Sequence, residues 1–510
     1  MTRSHSRPSL SKRQADMSTQ TPIVQMSDSD PLGAVQKVLQ FPNIGSSSPS
    51  WANQQYGQIV QSSDGDEAQV PWFGDFSFTQ TANVPQGSNG GWSKLPGEFT
   101  GFTLKDDLIV TNQTVNVDGQ NKSVVQPYYT TNENATQVKR VIIALPGKPR
   151  DSWKYANLFY NARNYVYTQN KYGGLKEGDV MILAPAVLNL QDQGAGGVEQ
   201  HWIAYNSSLW QMGGVSHYPN LTHSVSFYSV LDKMVSKVMN RTDYPLVNQV
   251  VIAGHSMGGQ AAVRYAVLKR QKKYDANMRF WIGNPGSWPW LENGTRPNDN
   301  PQQPCPDQAQ KDRWPYGLGN LTSIPKYARA NLTENVEAYV QRFLTKQVHY
   351  ALGLLDNGAG DTHCQAQYQG ANHLQRGSNF AALVGKLNNN QWPKSHSLGY
   401  VAGVSHQDYP MIAATESLDF LFGPDINMPR NDTFGLPKQH HEKKPKKPKT
   451  SEPPTDYHKV HIFQAVAWVV LAAIIVALII GFFVIDRIFT PNTNDWDRDY
   501  WESDFKRRLL

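Results

Sequence analysis

The sequence predicts an α/β protein built on a doubly wound, mostly parallel sheet. Three observations carry this. Short apolar runs of strand length alternate with helical stretches from Asp107 onward; the later runs are continuous rather than alternating; and a glycine-flanked serine separates one such run from the helix after it. Continuous apolar strands are those covered on both faces, and strand–helix alternation at this spacing implies crossover units.

The chain has 510 residues, 39% hydrophobic and 18% charged, enough for one large domain with appendages. Residues 1–70 are rich in Ser, Gln, Asp and Pro, with one apolar stretch at Leu32–Phe41, and are expected to be mostly disordered. Aromatics return at Trp72, Phe73, Phe76, Phe78, Trp92, Phe99 and Phe102, an extension expected to pack onto the domain that follows. The domain with this extension is assigned to residues 71–425. Its expected strands are Leu108–Val117, Val124–Thr130, Arg140–Leu145, Val180–Ala184, Gln249–Ala253, Met278–Ile282, Val348–Leu355 and Leu398–Val404. The expected helices are Ser224–Met239, Gly259–Tyr274, Val336–Lys346, Asn379–Leu387 and Met411–Phe422.

A Lys/Pro-rich linker, residues 426–461, follows. It holds Lys443, Lys444, Lys446, Lys447 and Lys449, and without these five the net charge of +6 falls to 6 − 5 = +1. The folded part is therefore near neutral, and nothing asks for nucleic acid. Ile462–Ile485 is 24 residues without a charge. As a helix it covers ~36 Å, enough to cross a ~30 Å hydrocarbon core, so a transmembrane helix is expected. Residues 486–510 form a tail.

The strongest local signal is Gly254-His255-Ser256-Met257-Gly258-Gly259, directly after Val250-Val251-Ile252-Ala253 and opening a helix. Strand, tight turn and helix are the context a G-x-S-x-G nucleophile elbow requires. The turn leaves no room for side chains two before and two after the serine. A serine there stands at a helix N-terminus, whose dipole favours an oxyanion.

This context resembles the α/β-hydrolase family of serine hydrolases, esterase- and lipase-like, over roughly Asp107–Gly423. The resemblance implies Ser256 as nucleophile, with an acid and then a histidine downstream. Five later histidines precede the linker: His349, His363, His373, His396 and His406. His349 lies inside a strand run, ahead of any acid that run could deliver. Of the others only His406 follows a strand run with a helix close behind, so it is the expected base. Asp356, at the end of Val348–Leu355, is the expected acid, with Asp361 the alternative. Backbone N–H groups of Met257 and Lys148 are the implied oxyanion donors, although Pro146 stands where family members often carry histidine. Arg150 and Asp151 are expected to pair and brace that loop. Gly283–Trp288 and Gly258–Tyr265 also resemble a poorly characterised membrane-anchored subgroup, which implies no definite substrate.

The expected activity is hydrolysis of a carboxylic ester or related small acyl compound, with no cofactor and no metal. An acyltransferase would use the same triad, and a non-catalytic binding protein could keep the fold. Two insertions, Pro185–His223 and Pro285–Asn335, hold Trp202, Trp210, Trp288, Trp290 and Trp314, expected to pack rather than to line a pocket.

Ten N-x-S/T sequons occur, at Asn112, Asn121, Asn134, Asn206, Asn220, Asn240, Asn293, Asn320, Asn331 and Asn431. Chance would give roughly four, so a lumenal or extracellular domain is favoured. Against it stand the polar, basic Met1–Gln20, unlike a signal peptide, and the lysines on the domain side of the apolar run. In a lumenal domain the two cysteines, Cys305 and Cys364, are expected to bridge; two free thiols are the alternative.

Overall fold

The computed structural model describes residues 10–40, 90–99, 101–131, 133–169, 172, 175–332 and 335–430. The chain divides into two units, Met1–Leu436 and Pro437–Leu510, and every described residue belongs to the first. The Lys/Pro run, the expected transmembrane helix Ile462–Ile485 and the tail lie outside the described residues. Among the described residues no helix is long and apolar enough to cross a membrane.

The elements in chain order are α1 (Leu10–Ser29), α2 (Pro31–Gln40), β1 (Glu98–Phe99), β2 (Phe102–Lys105), β3 (Ile109–Val117), β4 (Gln120–Val125), β5 (Tyr128–Thr131) and β6 (Arg140–Leu145). Next come α3 (Ser152–Tyr167), β7 (Val180–Pro185), α4 (Leu190–Ala195), β8 (Ala204–Tyr205), β9 (Ser216–Tyr218), α5 (Phe227–Val238), β10 (Gln249–His255) and α6 (Met257–Leu268). The last are β11 (Met278–Gly283), α7 (Lys326–Leu332), α8 (Val336–Leu344), β12 (Gln347–Gly353), α9 (Cys364–Gln367), α10 (His373–Leu387), β13 (His396–Val401), α11 (Asp408–Ile412) and α12 (Thr415–Phe422).

Nine strands form one sheet in the order β1-β2-β5-β7-β6-β10-β11-β12-β13. The pairs from β7 to β13 are parallel, and β1, β2 and β5 add an antiparallel margin. The chain enters the parallel part at β6, runs out to β7, then returns past β6 to β10 and winds the other way. The strand order thus reverses between β6 and β10. The carboxyl ends of strands at such a switch point are where an open α/β sheet forms a crevice. β6, β7 and β11 are buried at every position, the apolar, double-covered strands that the continuous runs predict.

Several expectations are corrected. Residues 10–40 are not structureless: α1 and α2 dock on the domain. Ala34, Val35 and Val38 of α2 are buried, and Leu32 packs where Gly385 of α10 lacks a side chain. Val124–Thr130 is not one strand. Asp118 and Gly119, with φ of 51° and 82°, turn β3 back on β4 as a separate hairpin, and β5 starts afresh after Pro127. The α10 helix starts at His373 rather than Asn379, because the Asn372 side chain accepts from Gln375 N at 2.8 Å and caps it. Met411–Phe422 is two short helices, α11 and α12. The α3 helix was not expected at all. Lys154, Asn157, Asn161 and Arg163 lie on its buried side, which erases the apolar period that would announce it.

The five tryptophans of the insertions are all buried, as packing residues should be; Trp288 stacks on Phe380 with centroids 4.6 Å apart. Cys305 and Cys364 are bridged, with Cα atoms 5.1 Å apart, and join the second insertion to the segment that follows β12.

Two buried histidines in the sheet make stability depend on pH. His349 lies between Ser397 Oγ at 2.9 Å and the ring of Phe420. Burial, aided by the charge of Arg279, lowers it to about 3, and burial lowers His396 to about 4. Unfolded imidazoles titrate near ~6.5, so below that pH the unfolded chain takes up protons that the folded one refuses. The stabilisation is complete above that value and is lost as pH falls through 6.5 toward the folded values. Between pH 7 and pH 4.5 each should cost on the order of 2 kcal/mol. Melting temperature is expected to fall over this window, and less steeply in His349→Phe. Identical slopes for the two proteins would overturn the assignment.

Candidate active site

Ser256 follows the last residue of β10 with φ 56° and ψ −122°, a conformation that L-residues reach only when their surroundings force it. The surroundings are glycines. A Cβ on Gly254 would stand 2.3 Å from the Gly258 carbonyl carbon, and one on Gly258 would stand 2.5 Å from Leu145 O at the end of β6. Ser256 N–H donates to Gly283 O at 2.9 Å, tying the turn to β11. The result is a serine held at the switch point, between the last residue of β10 and the first of α6.

The structure brings Ser256, His406 and Asp356 together. Ser256 Oγ lies 2.9 Å from His406 Nε2, and His406 Nδ1 lies 2.7 Å from Asp356 Oδ2. A carboxylate only accepts, so Nδ1 of His406 carries the hydrogen and Nε2 presents its lone pair to the serine hydroxyl. Asp356 is fully buried, whereas the His406 side chain is 32% exposed, so the serine end faces outward. Burial alone would raise the Asp356 carboxyl; the imidazoles of His373 and His406 outweigh it and hold the group well below the usual range.

Backbone locks position these side chains. Asn284 (φ 38°) receives Gly353 N–H on its Oδ1 at 2.9 Å and donates Nδ2 to Ser405 O at 3.0 Å, so one amide joins the end of β12 to the loop of the base. Gly403 in that loop donates to Gln20 Oε1 of α1 at 2.6 Å.

Asp361, the alternative acid, is elsewhere. Its Oδ2 accepts from Ser287 Oγ at 2.7 Å and Tyr316 OH at 3.0 Å, and its Oδ1 contacts His363 Nδ1 at 2.6 Å. Burial would raise it; His363, Ser287 and Arg376 hold it low. The cluster braces the Cys364 segment against the insertion and leaves His406 to Asp356.

The Arg150–Asp151 pair is also corrected. Arg150 reaches Asp192, whose carboxylate also accepts from the backbone N–H of Asn189, the N-cap of α4, at 2.8 Å, and Asp151 meets Lys154 at 3.3 Å. The loop of Lys148 is braced by Arg150, to a different carboxylate. Met257 is the first residue of α6, so its N–H has no intrahelical acceptor and points out of the helix N-terminus. The chain leaving β6 runs against Gly258, with Leu145 O and Pro146 O 2.5 and 2.8 Å from where its Cβ would stand, which sets Pro146 beside that terminus.

Two histidines that sequence reasoning missed pack against His406. His255, in the elbow itself, packs its ring on His406 at 4.6 Å and donates Nδ1–H to Asp408 Oδ1. Tyr155 OH also donates to Asp408, at 2.7 Å, with Lys154 Nζ 3.6 Å away. The Tyr155 hydroxyl lies where a side chain at Gly147 would be, 2.3 Å from the Cβ position, so this network reaches the loop after β6. His373 also packs on the His406 ring, at 4.2 Å, with its Nδ1 3.1 Å from Asp356 Oδ1. No local motif announces either contact. Burial lowers both imidazoles below their ordinary value, against the pull of Asp408 on His255 and of Asp356 on His373.

Among the described residues, Asp356, His373 and His406 are the group whose donor atoms come close enough for a metal ion, within 4.8 Å of one another. Both nitrogens of His406 are committed to Asp356 and Ser256, so these atoms are hydrogen-bonding partners in this arrangement.

The sheet order, the elbow after β10 and the delivery of acid and histidine from the ends of β12 and β13 are those of an α/β-hydrolase fold. No protein-family model and no curated protein matches the chain. Among solved structures it is similar to poly(aspartic acid) hydrolase-1 from Sphingomonas sp. KT-1, at 21% identity and TM-score 0.39, covering 58% of this chain and 93% of that one. It is similar to LpqC, a poly(3-hydroxybutyrate) depolymerase from Bordetella parapertussis, at 17% identity and TM-score 0.40, covering 62% and 88%. Est1E from Butyrivibrio proteoclasticus is similar at 15% identity and TM-score 0.30, covering 60% and 95%.

Proposed function

We propose that this protein is a serine hydrolase that cleaves a carboxylic ester or related small acyl substrate. Ser256 attacks the carbonyl carbon while His406 Nε2 takes the hydroxyl proton. Asp356 orients the imidazole and stabilises the imidazolium that forms. Met257 N–H and Lys148 N–H receive the developing oxyanion, and His406 returns its proton to the leaving group. Water, deprotonated by His406, then releases the acid from the acyl-enzyme. The observation that carries the reading is the continuous chain from Ser256 Oγ through His406 to Asp356, at 2.9 and 2.7 Å, with the serine held in a strained turn.

The protein is further proposed to be anchored by Ile462–Ile485, on the strength of its length and lack of charge. A lumenal or extracellular domain is favoured by the Cys305–Cys364 bridge, which persists in oxidising compartments. It is favoured also by the exposure of Asn112, Asn121, Asn134, Asn220, Asn240 and Asn293.

A fluorophosphonate probe tests the catalytic reading. Incubated with the full chain in a membrane fraction, it is expected to leave one covalent adduct, mapped by peptide mass spectrometry to Ser256. A chain left unmodified, or modified only at another residue, overturns the reading.

A further inference from the structure

Asp356 has two oxygens, and the proposed triad uses one. Oδ2 serves His406, while Oδ1, equally buried, accepts no hydrogen bond among the described residues and has His373 Nδ1 3.1 Å away. His373 Nδ1 is also 3.0 Å from Gly358 O. A carboxylate and a carbonyl only accept, so Nδ1 carries the ring hydrogen and lies between the two oxygens. We infer that His373 is a positioning residue for the acid: its Nδ1–H is the electrostatic partner of Oδ1, fixing the rotation of the carboxylate so that Oδ2 stays in line with His406. The inference rests on the hydrolase reading above.

The surroundings are built for this contact. His373 opens α10, and its backbone N–H donates to Gly358 O at 3.1 Å while Leu374 N–H donates to Asp356 O at 3.1 Å. The positive end of a 15-residue helix thus faces the acid loop. At Gly360, with φ 64°, a Cβ would stand 2.8 Å from His373 Nε2, so the loop closes over the ring only because that position is glycine. The imidazole is buried and meets both Asp356, at 3.1 Å, and the ring of His406, at 4.2 Å between centroids.

Two variants separate a donor from a packing ring. His373→Asn keeps an N–H near the place of Nδ1 and loses the ring; His373→Phe keeps the ring and loses the N–H. With p-nitrophenyl acetate, the Phe variant is expected to lower kcat by about 10²-fold with KM little changed, as for a misplaced catalytic group. The Asn variant is expected to keep kcat within about fivefold of the unmodified chain, on the same scale of misplacement effects. Turnover is expressed per site titrated with fluorophosphonate, so that unfolded molecules are not counted. A Phe variant with unchanged kcat, or an Asn variant as impaired as Phe, overturns the inference and leaves the hydrolase reading standing. An unmodified chain that takes up no probe and cleaves no ester overturns both.

Discussion

Ser256→Ala is expected to lower ester hydrolysis by about 10⁶-fold, the loss found when the nucleophile of a serine protease is removed. Ser256 Oγ is the atom that His406 Nε2 contacts, at 2.9 Å, and its removal leaves the base with no proton to take. The fold should be indifferent. The strain at φ 56° is carried by the backbone and by the glycines at 254 and 258, and alanine has the same Cβ as serine. Circular dichroism and melting temperature should therefore match those of the unmodified chain while probe labelling disappears. Labelling that persists in the alanine variant would remove Ser256 from the mechanism.

Asp356→Asn is expected to lower kcat by about 10⁴-fold, the scale of the corresponding change in a serine protease. The physical cause is the tautomer. Asparagine can turn its amide N–H toward His406 Nδ1, which must then accept, so the ring hydrogen moves to Nε2 and the serine faces a donor instead of a base. The negative charge that would stabilise the imidazolium is lost as well. Asp361→Asn supplies the contrast. Asp361 accepts from Ser287 and Tyr316 and pairs with His363, whereas His406 Nδ1 is held by Asp356, so the variant should melt earlier but retain kcat within a few-fold. Steady-state kinetics of the two variants side by side decide the matter; the opposite pattern would move the acid role to Asp361.

Much of this site was legible because its signals are local or follow chain order. The elbow needs glycines at 254 and 258 for reasons contained within five residues, and the strand before it is an unbroken apolar run. His406 could be singled out because a base delivered beside the last strand must follow a strand run and precede a helix. Elements whose buried faces are polar were illegible: α3 packs Lys154, Asn157, Asn161 and Arg163 inward, which no periodicity of apolar residues reveals. The N-terminal helices escaped for a related reason. Their order comes from docking, with Leu32 against Gly385 and Gln20 on Gly403, and not from their own composition.

The amino-acid order by itself determined the layered α/β architecture and singled out Ser256 and His406, because burial on both faces, steric room at a turn and strand succession leave marks in neighbouring residues. Partnership between distant side chains was decided only in three dimensions. Asp356 and Asp361 are five residues apart on one loop; strand placement favours Asp356, but a loop that folds back could deliver Asp361 to the same place. The turn through Gly358 and Gly360 and the N-terminus of α10 aim the first at His406, while Ser287, Tyr316 and His363 capture the second. The same holds for Arg150, paired with Asp192 across 42 positions rather than with its neighbour, and for His373 and His255, both packed on the ring of His406. Such contacts are set by how the sheet and its loops converge, and a sequence read along its length has no coordinate for that.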